Sequence, residues 1–340
     1  MTDPLRWATV GGSQIVEPPD AKKVQGHNAG EPTAAEFMNW WMNQIASKLN
    51  IGWGRAVQIG IDLTIASATG TVRLAALSNE NVAYISDGDD DLRFYHFDGD
   101  VFAQVGNDLN IAGASGATIV ALSATRVALI DGANEDLRAY DWDGADWAQV
   151  GNDLNIPGIG ATTLAALSAT RVAFIGSTLD ELRTYDFDGT DWTLVGSGLP
   201  VSGYTGGRLT ALNSSRVALV QTTPDKLETY DFDGAAWGKV GNTYTGSSFN
   251  TPDVTALNGT DIIVADPGGG FDELHVFRFD GADWSLVGLP TPFPAGSFGV
   301  GITALSGGTV AFIQDASQDI RVYEITFSLS APYSVSGGAF

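Results

Sequence analysis

A leucine preceded by alanine recurs at Leu77, Leu122, Leu167, Leu212, Leu257 and Leu305, at successive intervals of 45, 45, 45, 45 and 48 residues. A period of that length across most of a 340-residue chain demands one repetitive architecture, in which each copy covers its apolar faces with its neighbours. The internal order is the same from copy to copy, as in residues 119–130, 137–144 and 147–151 of the second.

Each copy reads as four short strands. The first two, Leu-x-Ala-Leu and Val-Ala-Leu-Ile with β-branched and aromatic substitutes, are apolar at nearly every position, as at 164–167 and 172–175. Such strands are covered on both faces. The third alternates, with Leu182, Thr184 and Phe187 set against Arg183 and Asp186, and the fourth, Trp-x-x-Val-Gly, is more polar still. Burial that falls from first strand to fourth predicts propeller blades around an axis. Ala76, Ala121, Ala166, Ala211, Ala256 and Ala304 supply small residues where blades crowd most closely. The last copy has no Asp-Gly and no Trp-x-x-Val-Gly, whereas residues 53–65 place a matching strand ahead of the first copy. The expectation is an all-β fold: a six-bladed β-propeller over residues 51–327, its last blade closed by the N-terminal strand, with a tail at 328–340.

Residues 1–50 stand outside the repeat and predict an extended arm followed by a helix over about 34–50. Thr33-Ala-Ala-Glu36 is a capping-box pattern, and the run to Asn50 holds no Gly or Pro. Phe37, Trp41, Ile45 and Leu49 share a face at spacing four, with Met38 and Met42 beside them. That face packs on the propeller's own flank or docks on another chain.

Charge narrows the partners. The formal net charge is −23, and residues 51–340 hold 35 acids against 13 bases. A polyanion of this kind is repelled by nucleic acid and by anionic lipid surfaces. The absence of cysteine excludes disulfides, thiolate metal sites and cysteine nucleophiles. No apolar run is long enough to insert in a membrane, and the N-terminus lacks the order of a signal peptide. His27, His96 and His275 occupy non-equivalent positions, and neither a nucleophile elbow nor a phosphate-binding loop occurs, so no catalytic residues and no cofactor are expected.

Two sets of positions remain as candidate sites. Asp-Gly recurs at 98–99, 143–144, 188–189, 233–234 and 280–281, where a hairpin must turn. In the second and third copies Asp141, Asp143 and Asp146, and Asp186, Asp188 and Asp191, also have the oxygen-rich spacing of calcium loops, a weaker reading because the outer acids fail in the other copies. Loops between second and third strands are acidic, and they share a face with the varied loops that lead from each fourth strand to the next copy. Tyr204, Tyr244, Phe249, Phe293 and Phe298 in the varied loops are candidates for stacking on sugar rings.

Residues 18–23, 26–32 and 34–44 (Pro-Pro-Asp-Ala-Lys-Lys, Gly-His-Asn-Ala-Gly-Glu-Pro and Ala-Ala-Glu-Phe-Met-Asn-Trp-Trp-Met-Asn-Gln) resemble the N-terminal segment of tail-fibre and related receptor-binding proteins of tailed bacteriophages. The phrase Tyr-Asp-Phe-Asp-Gly-x-x-Trp-x-x-Val-Gly resembles blades of kelch-like propellers. The first resemblance implies a structural, non-enzymatic virion protein, made in the host cytoplasm. Its arm and helix would dock on other tail or neck proteins, and its propeller would meet a host-surface glycan, receptor or neighbouring virion protein. Self-association would follow the symmetry of the particle. The alternatives are a polysaccharide depolymerase using a carboxylate pair on the propeller face, or a glycan-binding lectin or adhesin.

Overall fold

The computed structural model describes residues 55–326, apart from 66–69, 115, 132, 161, 202–203, 205–206, 223, 247–248, 251, 267–272, 289–290, 293–299, 307 and 315–318. All belong to one compact unit, Trp53–Phe327. The predicted arm and helix, with Phe37, Met38, Trp41, Ile45 and Leu49, lie outside the described residues, as do the tail and the loop residues Phe293 and Phe298. Among the described residues no helix is long and apolar enough to cross a membrane.

Six antiparallel sheets form a closed ring, each adjoining the next through its innermost strand. Blade 1 runs through Val72–Ala76, Asn81–Ser86, Asp91–Phe97 and Phe102–Asn110. The innermost strands of blades 2 to 6 are Thr118–Ala121, Thr162–Ser168, Gly207–Asn213, Asp253–Ala256 and Val300–Ser306. In blade 5 a short segment, Thr291–Pro292, also pairs with the third strand. The predicted closure is present: Arg55–Thr64 pairs with Asp319–Thr326, from Arg55 opposite Thr326 to Thr64 opposite Asp319. Burial falls from the second strand outward, from five buried positions in Arg171–Gly176 to a largely exposed Trp192–Pro200. The first strands depart from the expected gradient: only two of four positions are buried in Thr118–Ala121 and in Asp253–Ala256, because these strands face the axis.

The core is divided among the seams. Each of six hydrophobic clusters is shared by two adjacent blades, for example Phe174 and Tyr185 of blade 3 with Ile130 and Leu137 of blade 2. Aromatic pairs in register brace the outer strands, Phe187 with Trp192 at 4.8 Å and Phe232 with Trp237 at 5.1 Å between ring centroids. Some tryptophans also reach across a seam: Trp237 Nε1 donates to Thr184 Oγ1 and Trp284 Nε1 to Thr229 Oγ1, both at 2.8 Å. Trp192 has Ala139 at the equivalent place, and its buried Nε1 lacks a partner. Thr184→Val should therefore lower stability by about 1–3 kcal/mol, the cost of a buried donor left unpaired, read as a lower urea midpoint at unchanged slope.

The recurring Val-Gly is explained by a latch on the outer edge. Gly106, Gly151, Gly196 and Gly241 have φ near +70° at bulges in the fourth strands, where the chain passes against the hairpin turn of the next blade. The following amide donates to that turn: Asn107 to Ala145 O (2.9 Å), Asn152 to Thr190 O (2.7 Å), Ser197 to Ala235 O (2.8 Å) and Asn242 to Ala282 O (2.7 Å). In the closing strand Ile61 does the same toward Asp100 O at 2.7 Å. Blade 6, built from both ends of the repeat region, has no such turn to offer blade 5.

Candidate functional site

The two loop sets expected on one face do meet there, and they are knitted together. Acids between second and third strands accept from backbone amides of the loop entering the next blade: Asp87 from Gly116 (2.8 Å), Asp90 from Gly113 (3.2 Å), Glu135 from Gly158 (2.8 Å) and Asp225 from Phe249 (3.0 Å). Basic residues on the third strands neutralise others. Arg93 pairs with Asp89, Asp91 and Asp108 at 2.7, 3.0 and 3.2 Å, and Arg138 with Asp131, Asp136 and Asp153 at 3.3, 2.7 and 3.3 Å.

Two aromatics expected to be exposed are plugs instead. Tyr204 and Phe249 are only 4% and 3% exposed, and they fill the place that Ala114 and Ile159 fill in the preceding blades. The Tyr204 hydroxyl donates to Gly207 O at 3.0 Å, and burial pushes its pKa up to about 12. Tyr244 is half-buried, edge-on to Phe277 at 5.2 Å. A varied side chain in these loops therefore reflects how much volume each seam must fill.

The six acids with calcium-loop spacing have protein partners. Asp143 accepts from the amides of Ala145 and Asp146 at 2.8 and 2.9 Å, and Asp188 from those of Thr190 and Asp191. These amides hold both exposed carboxyls below the usual carboxylate range. Only the glycine of each pair takes positive φ, 107° at Gly144 and 102° at Gly189, so the aspartate serves the turn through its side chain. Asp146 and Asp191 accept from Asn107 and Asn152 of the preceding blade, both at 2.8 Å. Asp141 and Asp186 form two-pronged pairs with Arg126 and Arg171 at 2.6 and 2.7 Å. Each guanidinium also lies over an aromatic of the next blade, Phe187 at 5.5 Å and Phe232 at 5.7 Å. In blade 5 the pair is reversed, Arg278 on the third strand and Asp261 on the second, which explains why that copy breaks the acidic pattern. Among the described residues no group of three or more His, Asp or Glu is placed to hold a metal.

The axis is chemically distinct. A cavity of about 350 Å³ runs between the innermost strands and is lined by all six. At its mouth one repeat position forms a ring: Arg73, Thr118, Thr163, Arg208 and Asp253, each 45 residues after the last, then Gly301. Gly301 sits tightly: a Cβ there would stand 3.0 Å from Val72 O and from Ile313 Cγ2 and 3.3 Å from Arg73 Cα, so a side chain fits only if these neighbours shift by a few tenths of an ångström. Two residues deeper, on the same face of each strand, lie Ala75, Val120, Ala165, Thr210, Thr255 and Thr303.

Side chains of the ring and of the layer below it brace neighbouring strands. Thr163, Thr210, Thr255 and Thr303 accept from the amides of Leu209, Ala256, Ala304 and Ala76 at 2.9, 3.1, 3.0 and 2.9 Å, each on the next blade. Asp253 Oδ2 accepts from Ile302 N at 2.9 Å, and its Oδ1 lies 3.5 Å from Arg208 Nε. Arg73, 7% exposed, donates to Val72 O at 2.7 Å. Burial, with the charge of Arg208, pulls its pKa down to about 10 against the opposing pull of Asp253 and Asp87. Arg93, Arg126, Arg138, Arg171, Arg183, Arg216, Arg278 and Arg321 each pair with a carboxylate of their own blade. The sequence signal for this ring was the departure from threonine to arginine at one register of the repeat.

No family model and no curated protein sequence matches the chain. Solved structures do resemble it. A protein of unknown function from Bacteroides thetaiotaomicron VPI-5482 superposes with a TM-score of 0.57 at 16% identity, covering 81% of this chain and 76% of that one. The fucose-specific lectin from Aleuria aurantia gives 0.52 at 16% identity, with 81% and 100% covered. The β-propeller domain of Cps50 (Swd1) from Myceliophteria thermophila gives 0.51 at 11%, with 80% and 100% covered. At these identities the likeness is one of fold.

Proposed function

We propose that this chain is a non-enzymatic glycan-binding propeller that takes its ligand at the axial channel. The observation that carries the reading is the ring at the channel mouth. Hydroxyl, guanidinium and carboxylate groups converge there on a cavity of about 350 Å³, held by the six innermost strands. A site of that kind offers a hydroxylated ligand both donors and acceptors without reorganisation. The fold likeness to a fucose-specific lectin is in keeping with this reading.

The depolymerase alternative needs two carboxyl groups whose proton affinities are pushed apart across a cleft. Among the described carboxyls Asp131 has its affinity raised, by burial, but it accepts from Asn134 N at 2.5 Å and pairs with Arg138, which ties it into a turn. A glycan array probed with the full chain, followed by a reducing-end assay on the glycans retained, should give binding without new reducing ends. Release of reducing ends would favour the depolymerase.

A place on a virion rests on residues 18–44, through their resemblance to phage tail-fibre segments, and is compatible with outward display of a glycan-binding ring. On that reading a chain lacking residues 1–50 keeps the melting temperature of the propeller and is lost from particles. Retained incorporation would remove docking through the arm.

A further inference from the structure

The innermost strand of each blade turns one edge to its second strand and the other to the axis. In an antiparallel pair a residue exchanges both of its backbone bonds with the partner strand or neither. Leu122 N and Leu257 N donate to the second-strand carbonyls of Arg126 and Asp261, both at 2.8 Å. The alanine before each of these leucines therefore points its N–H and its C=O at the channel. Ala121, Ala166 and Ala211 line that channel half-buried, and each meets its second strand in the same register, opposite Val127, Val172 and Val217.

The inward amides of the six alanines divide into two arcs. On blades 1, 5 and 6 each is capped by a threonine of the preceding blade: Ala76 N donates to Thr303 Oγ1 at 2.9 Å, Ala256 N to Thr210 Oγ1 at 3.1 Å and Ala304 N to Thr255 Oγ1 at 3.0 Å. On blades 2, 3 and 4 the capping register holds Ala75, Val120 and Ala165, whose side chains have no acceptor. Among the described residues nothing accepts from Ala121 N, Ala166 N or Ala211 N. Three adjacent blades thus leave backbone donors open to a cavity of about 350 Å³, and a donor held there needs an acceptor from what enters it.

We infer that this arc holds the hydroxyl edge of a neutral pyranose, the terminal residue of a glycan that enters along the axis. This rests on the axial channel being the glycan site. Each alanine presents a donor and an acceptor side by side, which suits a hydroxyl because a hydroxyl both accepts and donates. A carboxylate only accepts, and the inward carbonyls beside the amides repel it. The opposite sector serves the rest of the sugar. Thr210, Thr255 and Thr303 accept from the amides they cap and keep their hydroxyl hydrogens for a further acceptor. Because six strands enclose the cavity, a glycan reaches the arc end first.

The test transplants the cap. Val120→Thr keeps the shape of the side chain and adds an acceptor at the register from which Thr210, Thr255 and Thr303 act, so it should occupy Ala166 N. The full chain is titrated calorimetrically with the methyl glycosides of glucose, galactose, mannose and fucose and with sodium glucuronate. At least one neutral glycoside is expected to bind at least tenfold more tightly than glucuronate. Val120→Thr should weaken that glycoside at least threefold at an equal or higher melting temperature. Hydrogen exchange followed by NMR in the wild type keeps the test decisive if the variant fails to fold. The amides of Ala121, Ala166 and Ala211 should exchange faster than those of Ala76, Ala256 and Ala304, and the bound glycoside should slow them several-fold. Glucuronate bound as tightly as every neutral glycoside overturns the neutral sugar. Unchanged affinity in a folded Val120→Thr overturns the arc, as do open amides that the ligand leaves unprotected. Glycans retained on the array without such protection would overturn this inference and leave the glycan reading standing. A glycoside that protects the open amides, beside a blank array, would do the reverse and leave a site for a free sugar.

Discussion

Gly106→Ala is expected to destabilise the propeller by about 3 kcal/mol or more, or to prevent folding, whereas Gly144→Ala should cost only about 1–2 kcal/mol. Both glycines have positive φ, +72° and +107°, so both substitutions meet backbone strain. They differ in what a methyl group would touch. At Gly106 the added carbon would stand 2.0 Å from Ala145 O and 2.4 Å from Trp142 Cη2. At Gly144 nothing lies within 4 Å. Backbone cannot yield as a side-chain tip does, so the alanine at 106 must push blade 2 away and break the bond from Asn107 N to Ala145 O. Urea titrations of the two variants separate strain from collision. Equal losses would show that the latch is dispensable and that conformation alone selects glycine there.

Glu228→Gln should cost about 2–3 kcal/mol at pH 7 and progressively less as the solution is acidified toward pH 2. Glu228 lies almost wholly buried in blade 4. Burial opposes its ionisation, but Lys239 (2.7 Å), Lys226 (3.0 Å), the Tyr230 hydroxyl (2.8 Å) and the Thr243 hydroxyl (2.9 Å) outweigh it and hold the pKa down to about 2, against an ordinary 4.5. A carboxyl whose folded pKa is depressed stabilises the fold fully above its unfolded value and loses that contribution as pH falls toward its folded one. The contribution is of order 3 kcal/mol and disappears between about pH 4.5 and 2. The amide also leaves two lysines facing a neutral group. Stability measured against pH should show wild type and variant converging on the acid side. Parallel curves would mean that the network does not hold the proton off Glu228.

The repeat made the fold legible, because a period of 45 with four strand-like segments per copy admits few ways to cover both faces of the inner strands. Even the closing strand could be read, since residues 53–65 supply what the last copy lacks. The site was less legible. Variation alone reads as freedom from the scaffold for the aromatic loop residues, yet Ala114, Ile159, Tyr204 and Phe249 fall at one register and fill one kind of gap. Variation there records seam volume. The axial ring, in contrast, hid inside strands read as scaffold. Arg73 and Arg208 each look like a lone charge in an apolar segment. Their meeting depends on a sixfold closure that brings residues 135 apart in the chain, 73 and 208, to one mouth. Pairings such as Arg126 with Asp141 were equally hidden, because antiparallel register, rather than local spacing, sets them opposite one another.

The shared ownership of blade 6 also sets a timetable for synthesis. Thr64 finds its partner Asp319 only after 255 further residues have been made, a wait of roughly 15–50 s at ordinary translation rates. During that wait blades 1 to 5 can form from hairpins close in sequence, while the strand that will close the ring has no mate. The nascent chain is then an open arc whose closing strand is unpaired, and a chain farther along the same messenger that has already made residues 319–326 can offer it the mate it lacks. Crowded translation should therefore favour exchanged dimers over closed monomers.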